Sequence, residues 1–140
     1  MNVKDIMTRD VEVVHPDDAI KEAARKMRDR DIGFLPVCDG DRLVGVVTDR
    51  DLILRGLAEG TDPGTNIGRD LMTSPVVYCF DDQDVKEATR LMEDHQIRRV
   101  AVLRREDKRL VGVLSLGDIA RSSTRKVSGE VLESVSEPAA

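Results

Sequence analysis

Aromatic residues are almost missing from this 140-residue chain. Phe34, Phe80 and Tyr78 are all it has, and tryptophan is absent. A surface that stacks nucleobases on aromatic rings therefore has almost no material. Basic charge is not in excess either: 22 Lys and Arg stand against 27 Asp and Glu, a formal charge of −5. That balance argues against binding along a nucleic-acid backbone. Cysteine occurs twice, at Cys38 and Cys79, with no C-x-x-C pair. No disulfide framework is expected, and a reducing, cytoplasmic setting is. His15 and His95 are the only histidines and lack metal-ligand spacing, so no metal site is expected. No apolar run approaches the length of a membrane span. Met1 to Thr8 already carries Lys4 and Asp5 and does not read as a signal peptide. No P-loop, Rossmann or G-x-S-x-G fingerprint is present, nor a nucleophile–base pair, so catalysis is not expected.

What the chain does have is a repeat. Hydrophobic residues make up 40% and charged residues 35%, enough for a core and against disorder. A chain of this length buries roughly two-thirds of its unfolded surface. Shifted by 65 positions, Asp5, Met7 and Thr8 fall on Asp70, Met72 and Thr73. Lys21-Glu22-Ala23 falls on Lys86-Glu87-Ala88, and Met27, Ile32 and Val37 on Met92, Ile97 and Val102. After a two-residue insertion, Arg42-Leu43-Val44-Gly45-Val46 falls on Arg109-Leu110-Val111-Gly112-Val113, and Asp51 on Asp118. Matches in this order identify two copies of one unit.

Each copy reads as β-α-β-β-α. Val11 to His15 and Val76 to Phe80 have strand character. Ile20, Ala23, Ala24 and Met27 form a helical stripe after Asp17 and Asp18, and Val85, Ala88, Leu91 and Met92 repeat it after Asp81 and Asp82. Those carboxylates are expected to cap the helices rather than catalyse. Phe34 to Cys38 and Leu43 to Val47 form a hairpin about Asp39-Gly40-Asp41; Val100 to Leu103 and Leu110 to Leu114 form its counterpart. A short helix closes each copy, from Asp49 to Leu57 and from Leu116 to Arg121. The expected fold class is α/β (α+β), two tandem repeats packed sheet to sheet with pseudo-twofold symmetry. The expected boundaries are repeat 1 at 1–60, a Gly- and Pro-containing linker at 61–69, repeat 2 at 70–122 and a tail at 123–140. Val127, Val131 and Val135 in that tail have weak helical spacing. Cys38 and Cys79 align with Leu103 and Val14 and are expected in the core.

Two segments share the form G-h-h-[ST]-x-x-D: Gly45-Val46-Val47-Thr48-Asp49-Arg50-Asp51 and Gly112-Val113-Leu114-Ser115-Leu116-Gly117-Asp118. Thr48-x-x-Asp51 and Ser115-x-x-Asp118 also read as capping boxes, and one side chain can serve both purposes. Together with Asp5-Ile6-Met7-Thr8 and Asp70-Leu71-Met72-Thr73, the duplicated pattern resembles a tandem CBS-domain pair, or Bateman module. The chain is similar to small stand-alone bacterial CBS-pair proteins of the hypoxic response protein type, and no attached enzyme, channel or DNA-binding domain is expected.

The resemblance implies a regulatory or sensory module binding an adenosine compound (AMP, ADP or ATP, with NAD or S-adenosylmethionine also open) in the cleft between repeats. It needs no cofactor and is expected to form a homodimer and to act on an unidentified regulated protein, with no membrane contact. By resemblance, Asp51, Asp118, Thr48 and Ser115 bind the ribose. Ser74, Pro75, Val76, Val77 and Val11 line the adenine. Arg98, Arg99 and Arg50 hold phosphate, since guanidinium forks suit that anion. By the same resemblance the Asp118 site meets Asp10, Val11 and Glu12 with Gly33 and Phe34; its carboxylates are expected to repel phosphate, so that it is weak, empty or takes a neutral nucleoside. The competing reading is a structural dimerisation adaptor whose pockets are closed by the chain's own side chains.

Overall fold

The computed structural model of the chain describes residues 1–122, and at Arg69 the backbone only. The proposed tail helix about Val127, Val131 and Val135 lies outside the described residues. These residues divide into two compact units: Glu12–Val76, and Met1–Val11 together with the chain from Val77 onward. Compact units and sequence repeats thus divide the chain differently.

In the Glu12–Val76 unit, α1 (Ile20–Arg30) precedes an antiparallel pair, β1 (Phe34–Asp39) and β2 (Arg42–Thr48). Gly40 makes the turn at φ +62, a left-handed conformation that glycine adopts without a steric penalty. The helical turn α2 (Asp49–Asp51) runs on into a π-helical segment, Leu52–Leu57, and α3 (Gly68–Leu71) follows. Val14, Ile20, Ala23, Met27, Leu35, Val37, Val47, Leu52, Ile67, Leu71 and Met72 form the core. Ala24 of the predicted stripe is exposed.

Three expectations need correcting in this unit. The predicted first strand is reduced to a single bridge between Val14 and Val37. Asp17 and Asp18 do not cap α1, whose N-cap residue is Ala19. Carbonyls of the supposed linker take the first free N–H groups instead: Ile20 donates to Thr65 (2.9 Å) and Lys21 to Pro63 (3.0 Å). Those helix-start donors need partners of some kind, and backbone supplies them. Finally, Ile67 is not linker surface but fully buried.

The second unit begins with a 3-10 turn at Val3–Asp5. It then uses β3 (Tyr78–Phe80), α4 (Val85–His95), β4 (Arg99–Leu103), β5 (Leu110–Ser115) and α5 (Leu116–Ser122). The sheet order is β3-β4-β5, parallel then antiparallel. Val76 and Val77 fall outside the strand. Asp84, not Asp81 or Asp82, caps α4, accepting from the Lys86 N–H at 2.8 Å. Asp82 is instead paired with Arg105 at 2.8 Å. Val3, Met7, Cys79, Val85, Ala88, Met92, Val100, Val102, Leu114 and Ile119 form this core.

The repeat extends to fine detail. Both hairpins carry a register shift, at Val37/Cys38 and Val102/Leu103. Both long helices end on a left-handed residue, Asp31 at φ 53 and Gln96 at φ 51. Ile67 and Gly68 donate to the Asp18 and Pro16 carbonyls; Val3 and Lys4 donate to Gln83 and Asp81. Ile67 therefore plays the part of Val3, and both are fully buried. The two D-[IL]-M-T segments are docked the same way. Thr73 bridges Val46 and Thr8 bridges Val113, so each lies along the last strand of the hairpin in its unit.

Candidate functional site

Thr48 ends β2 in extended backbone and opens the helical turn behind it. Its hydroxyl accepts from the Asp51 N–H at 3.1 Å, and Asp51 Oδ2 accepts from the Thr48 N–H at 2.9 Å. Ser115 and Asp118 repeat this reciprocal box at 3.1 and 2.9 Å. The capping role read from the sequence is therefore present in both copies. Such a box satisfies two helix-start donors and fixes the carboxylate's orientation. One oxygen of each aspartate remains for other partners.

Those second oxygens differ. Asp51 Oδ1 has the Arg55 Nε at 4.0 Å, beyond hydrogen-bond range. Arg55 leans on the Met72 carbonyl at 3.4 Å. Asp118 Oδ1 accepts a 2.6 Å hydrogen bond from Arg121 Nη2, and the Asp118 side chain is only 6% exposed. Sequence reasoning missed Arg55 and Arg121. Their spacing from the aspartates, four and three residues along a helix, was the available signal.

Of the residues assigned by resemblance, Thr48, Arg50, Asp51, Ser74, Pro75 and Val76 fall in the Glu12–Val76 unit. The Val46–Thr73 bridge, with bonds of 3.2 and 2.8 Å, brings the segment entering Ser74 alongside β2 just before Thr48. Ser74 and Pro75 are exposed and joined by a cis peptide bond, and Val76 is half-buried. Val11, Val77, Arg98, Arg99, Ser115 and Asp118 fall in the other unit. There Arg99 is the register partner of Ser115, and the Leu116 N–H donates to the Arg98 carbonyl at 3.0 Å. Arg50, Arg98 and Arg99 are exposed. None of the three guanidinium groups has an ion-pair partner among the described residues.

The expected repulsion by Glu12 needs correction. Its carboxylate is compensated by Lys26 at 3.3 Å and Arg30 at 3.0 Å, while Lys26 also donates to the Val13 carbonyl at 2.8 Å. It ties the entering segment to α1 instead of presenting free negative charge. His15 is held by Asp39 (3.2 Å) and by the Asp17 N–H (3.0 Å). His95 is the last residue of α4. No cluster of three or more metal-ligating side chains occurs among the described residues. Both cysteines are buried, and burial, with help from Asp81, pushes the Cys79 thiol up to about 12. Burial, then the Asp41 charge, also raises Cys38. Among the described residues no helix is long and apolar enough to cross a membrane.

The sequence and the fold both have known counterparts. The chain is 38% identical over 138 residues to hypoxic response protein 1 of Mycobacterium tuberculosis, covering 98% of this chain and 95% of that protein. A crystal structure of hypoxic response protein I, described with two coordinated zinc ions, matches with a TM-score of 0.79 and 40% identity, covering 89% of this chain and 100% of that one. The crystal structure of CBSX2 in complex with AMP matches at 0.74 with 32% identity, over 86% of this chain and 94% of that one. The CBS domain pair of protein MJ0100, in complex with 5-methylthioadenosine and S-adenosyl-L-methionine, matches at 0.75 with 30% identity and the same coverage. The CBS domain family model fits the sequence twice, over residues 3–57 and 67–125. The reciprocal boxes, the duplicated hairpins and these matches together assign the chain to the CBS domain family, as a tandem pair.

Proposed function

We propose that this chain is a regulatory module that binds an adenosine-containing ligand, with Asp51 as the principal ribose acceptor. The supporting observation is the state of the Asp51 carboxylate. Oδ2 is spent on the cap, which aims the group, while among the described residues Oδ1 has only a guanidinium 4.0 Å away. A carboxylate oxygen held in this way can accept from a ribose hydroxyl at no further ordering cost. Thr48 orients it, and the exposed Ser74-Pro75 backbone and half-buried Val76 offer polar and apolar edges for a base. Val77 and Val11 keep the adenine role given by the resemblance, and Ser115 and Asp118 the second ribose role. Arg50, Arg98 and Arg99 are the cations available to a phosphate. Two structural neighbours carry AMP or adenosine-type thioethers and sulfonium compounds in their complexes, which favours this ligand class. No catalytic role is assigned to any residue.

Binding of a ligand to the folded state raises Tm in a saturable way. A thermal-shift panel of adenosine, AMP, ADP, ATP, NAD and S-adenosylmethionine tests the reading. Saturable stabilisation by at least one compound, reduced in Asp51→Asn, is expected. Asparagine keeps one acceptor for the Thr48 N–H and removes the free carboxylate oxygen. Flat melting across the panel overturns the reading and favours the adaptor. One observation speaks for that alternative: Ile53, Leu54 and Leu57 on the π-helical segment are 55%, 46% and 75% exposed, an apolar surface of the kind that pairs with a second protein or copy.

A further inference from the structure

Asp51 and Asp118 occupy the same position in the same box, with matching hydrogen bonds, yet their outer oxygens meet different surroundings. Resting on the nucleotide-binding reading above, we propose that Arg121 is a built-in occupant of the second carboxylate. Its guanidinium takes the place on Asp118 Oδ1 that a ribose hydroxyl takes on Asp51 Oδ1. The chain then presents one adenosine site where the repeat would provide two.

The charged bond is short, 2.6 Å from Nη2 to Oδ1, against 4.0 Å between Arg55 and Asp51. A charge-assisted bond of that length satisfies the oxygen that a neutral hydroxyl would otherwise approach. The seat for the guanidinium is also built into the sequence. Residue 117 is glycine, and a Cβ there would lie 3.2 Å from Arg121 Nη1 and 3.9 Å from Cζ. The aligned position in the first copy is Arg50, and the position aligned with Arg121 is Leu54. The first copy thus lacks the arginine, and at the position of the glycine it carries an exposed cation, Arg50. Arg121 itself is 73% exposed while its partner is 6% exposed. Its guanidinium lies on the buried carboxylate yet is free to swing away, since among the described residues it makes no other hydrogen bond or ion pair. With its arginine arm in solvent, such a pair is modest in absolute terms. It acts as a competitor, lowering apparent affinity by the fraction of time the carboxylate is open.

The test is calorimetric titration of the full chain with adenosine, a probe that needs no cation, and in parallel with AMP. Wild type is expected to bind one adenosine per chain, lost in Asp51→Asn. Arg121→Ala is expected to bind two, the new site about tenfold or more tighter than any second-site binding in wild type. Asp51→Asn/Arg121→Ala keeps only the new site. Circular dichroism melting confirms that each variant folds, which the exposure of Arg121 favours. A single unchanged site in Arg121→Ala, two equal sites in wild type, or weakened binding in Arg121→Ala each overturns this inference and leaves the reading of Asp51 standing. No adenosine or AMP binding in wild type or in Arg121→Ala overturns both.

Discussion

The two strand glycines offer a quantitative test of how the D-[IL]-M-T segments are docked. A Cβ at Gly112 would lie 2.6 Å from the Met7 sulfur and 2.8 Å from the Thr8 backbone oxygen. Ordinary carbon–oxygen approach is about 3.3–3.6 Å, so the segment carrying Thr8 would have to retreat by at least about half an ångström. It is not free to do so. Thr8 donates to the Val113 carbonyl at 2.9 Å and accepts from the Val113 N–H at 3.0 Å. Overpacking costs about 1–3 kcal/mol and a lost backbone bond about 1 kcal/mol. Alanine recovers about 0.4–1 kcal/mol through the unfolded chain. Gly112→Ala should therefore destabilise by about 2 kcal/mol, or about 4–8 °C in Tm for a chain of this size. At Gly45 the intruding atoms all belong to the Met72 side chain, the sulfur nearest at 2.5 Å. A methionine can turn aside, so Gly45→Ala should cost about 1 kcal/mol less than Gly112→Ala. Adding Met72→Ala to Gly45→Ala should recover part of its cost in a double-mutant cycle. Adding Met7→Ala to Gly112→Ala should not, because the Thr8 carbonyl stays in the way. Urea unfolding of the four single and two double variants, followed by circular dichroism, closes both cycles. Equal costs at the two glycines, or full rescue at Gly112, would refute the docking argument.

Two further expectations follow from the ionisable groups. At pH 8 both native thiols should react slowly with Ellman's reagent, Cys79 slowest, because burial holds its thiol at about 12 and thiolate is the reacting species; rapid native labelling of either cysteine counts against its burial. Asp107 is held at about 2 by its hydrogen bond from Arg104, and Asp82 and Asp84 are lowered by Arg105 and the Lys86 N–H. Their folded values lie below the ordinary 3.8, so the unfolded chain binds more protons in that window. Their contribution is complete well above the ordinary carboxylate value and is lost as pH falls through their lowered folded values, for Asp107 toward about 2. Asp107→Asn should flatten the acid limb of a Tm–pH profile; an unchanged limb would refute its share.

The repeat, both hairpins, the long helices and the capping boxes were legible in the sequence because each depends on neighbours within a few residues. Phe34–Asp39 and Arg42–Thr48 show apolar, β-branched runs around a glycine turn, and no tertiary contact is needed to read them. What was not legible depends on distant partners. Asp17 and Asp18 look like caps, yet Thr65 and Pro63 carbonyls arrive from more than forty residues away and take the donors first. Residues 61–69 look like linker by their glycine and proline, yet Ile67 is as buried as Val3. Composition registers the turn and cannot register the pocket that receives one isoleucine. At the site, Thr48, Asp51, Ser115 and Asp118 carry their pattern openly. The arginines near the two aspartates, Arg55 at i+4 and Arg121 at i+3, were visible as spacing; that only Arg121 closes a short bond depends also on side-chain direction, which spacing does not give.

Within the Glu12–Val76 unit the proposed ribose acceptor is served by one hairpin. Ser74 and Pro75 are anchored to β2 through Thr73, and the same strand leads into the turn that carries Asp51. A ligand shifts a conformational equilibrium only by its difference in affinity between the states. Contacts confined to Asp51 and Thr48, whose geometry the capping box fixes, are the same wherever that box is intact and would signal nothing by themselves. On the proposed reading the valines assigned to the base, Val11, Val76 and Val77, are the contacts left to differ between states. Substitutions there should alter how adenosine binding couples to stability or assembly more than how tightly adenosine is held, measured as the ratio of Tm shift to affinity.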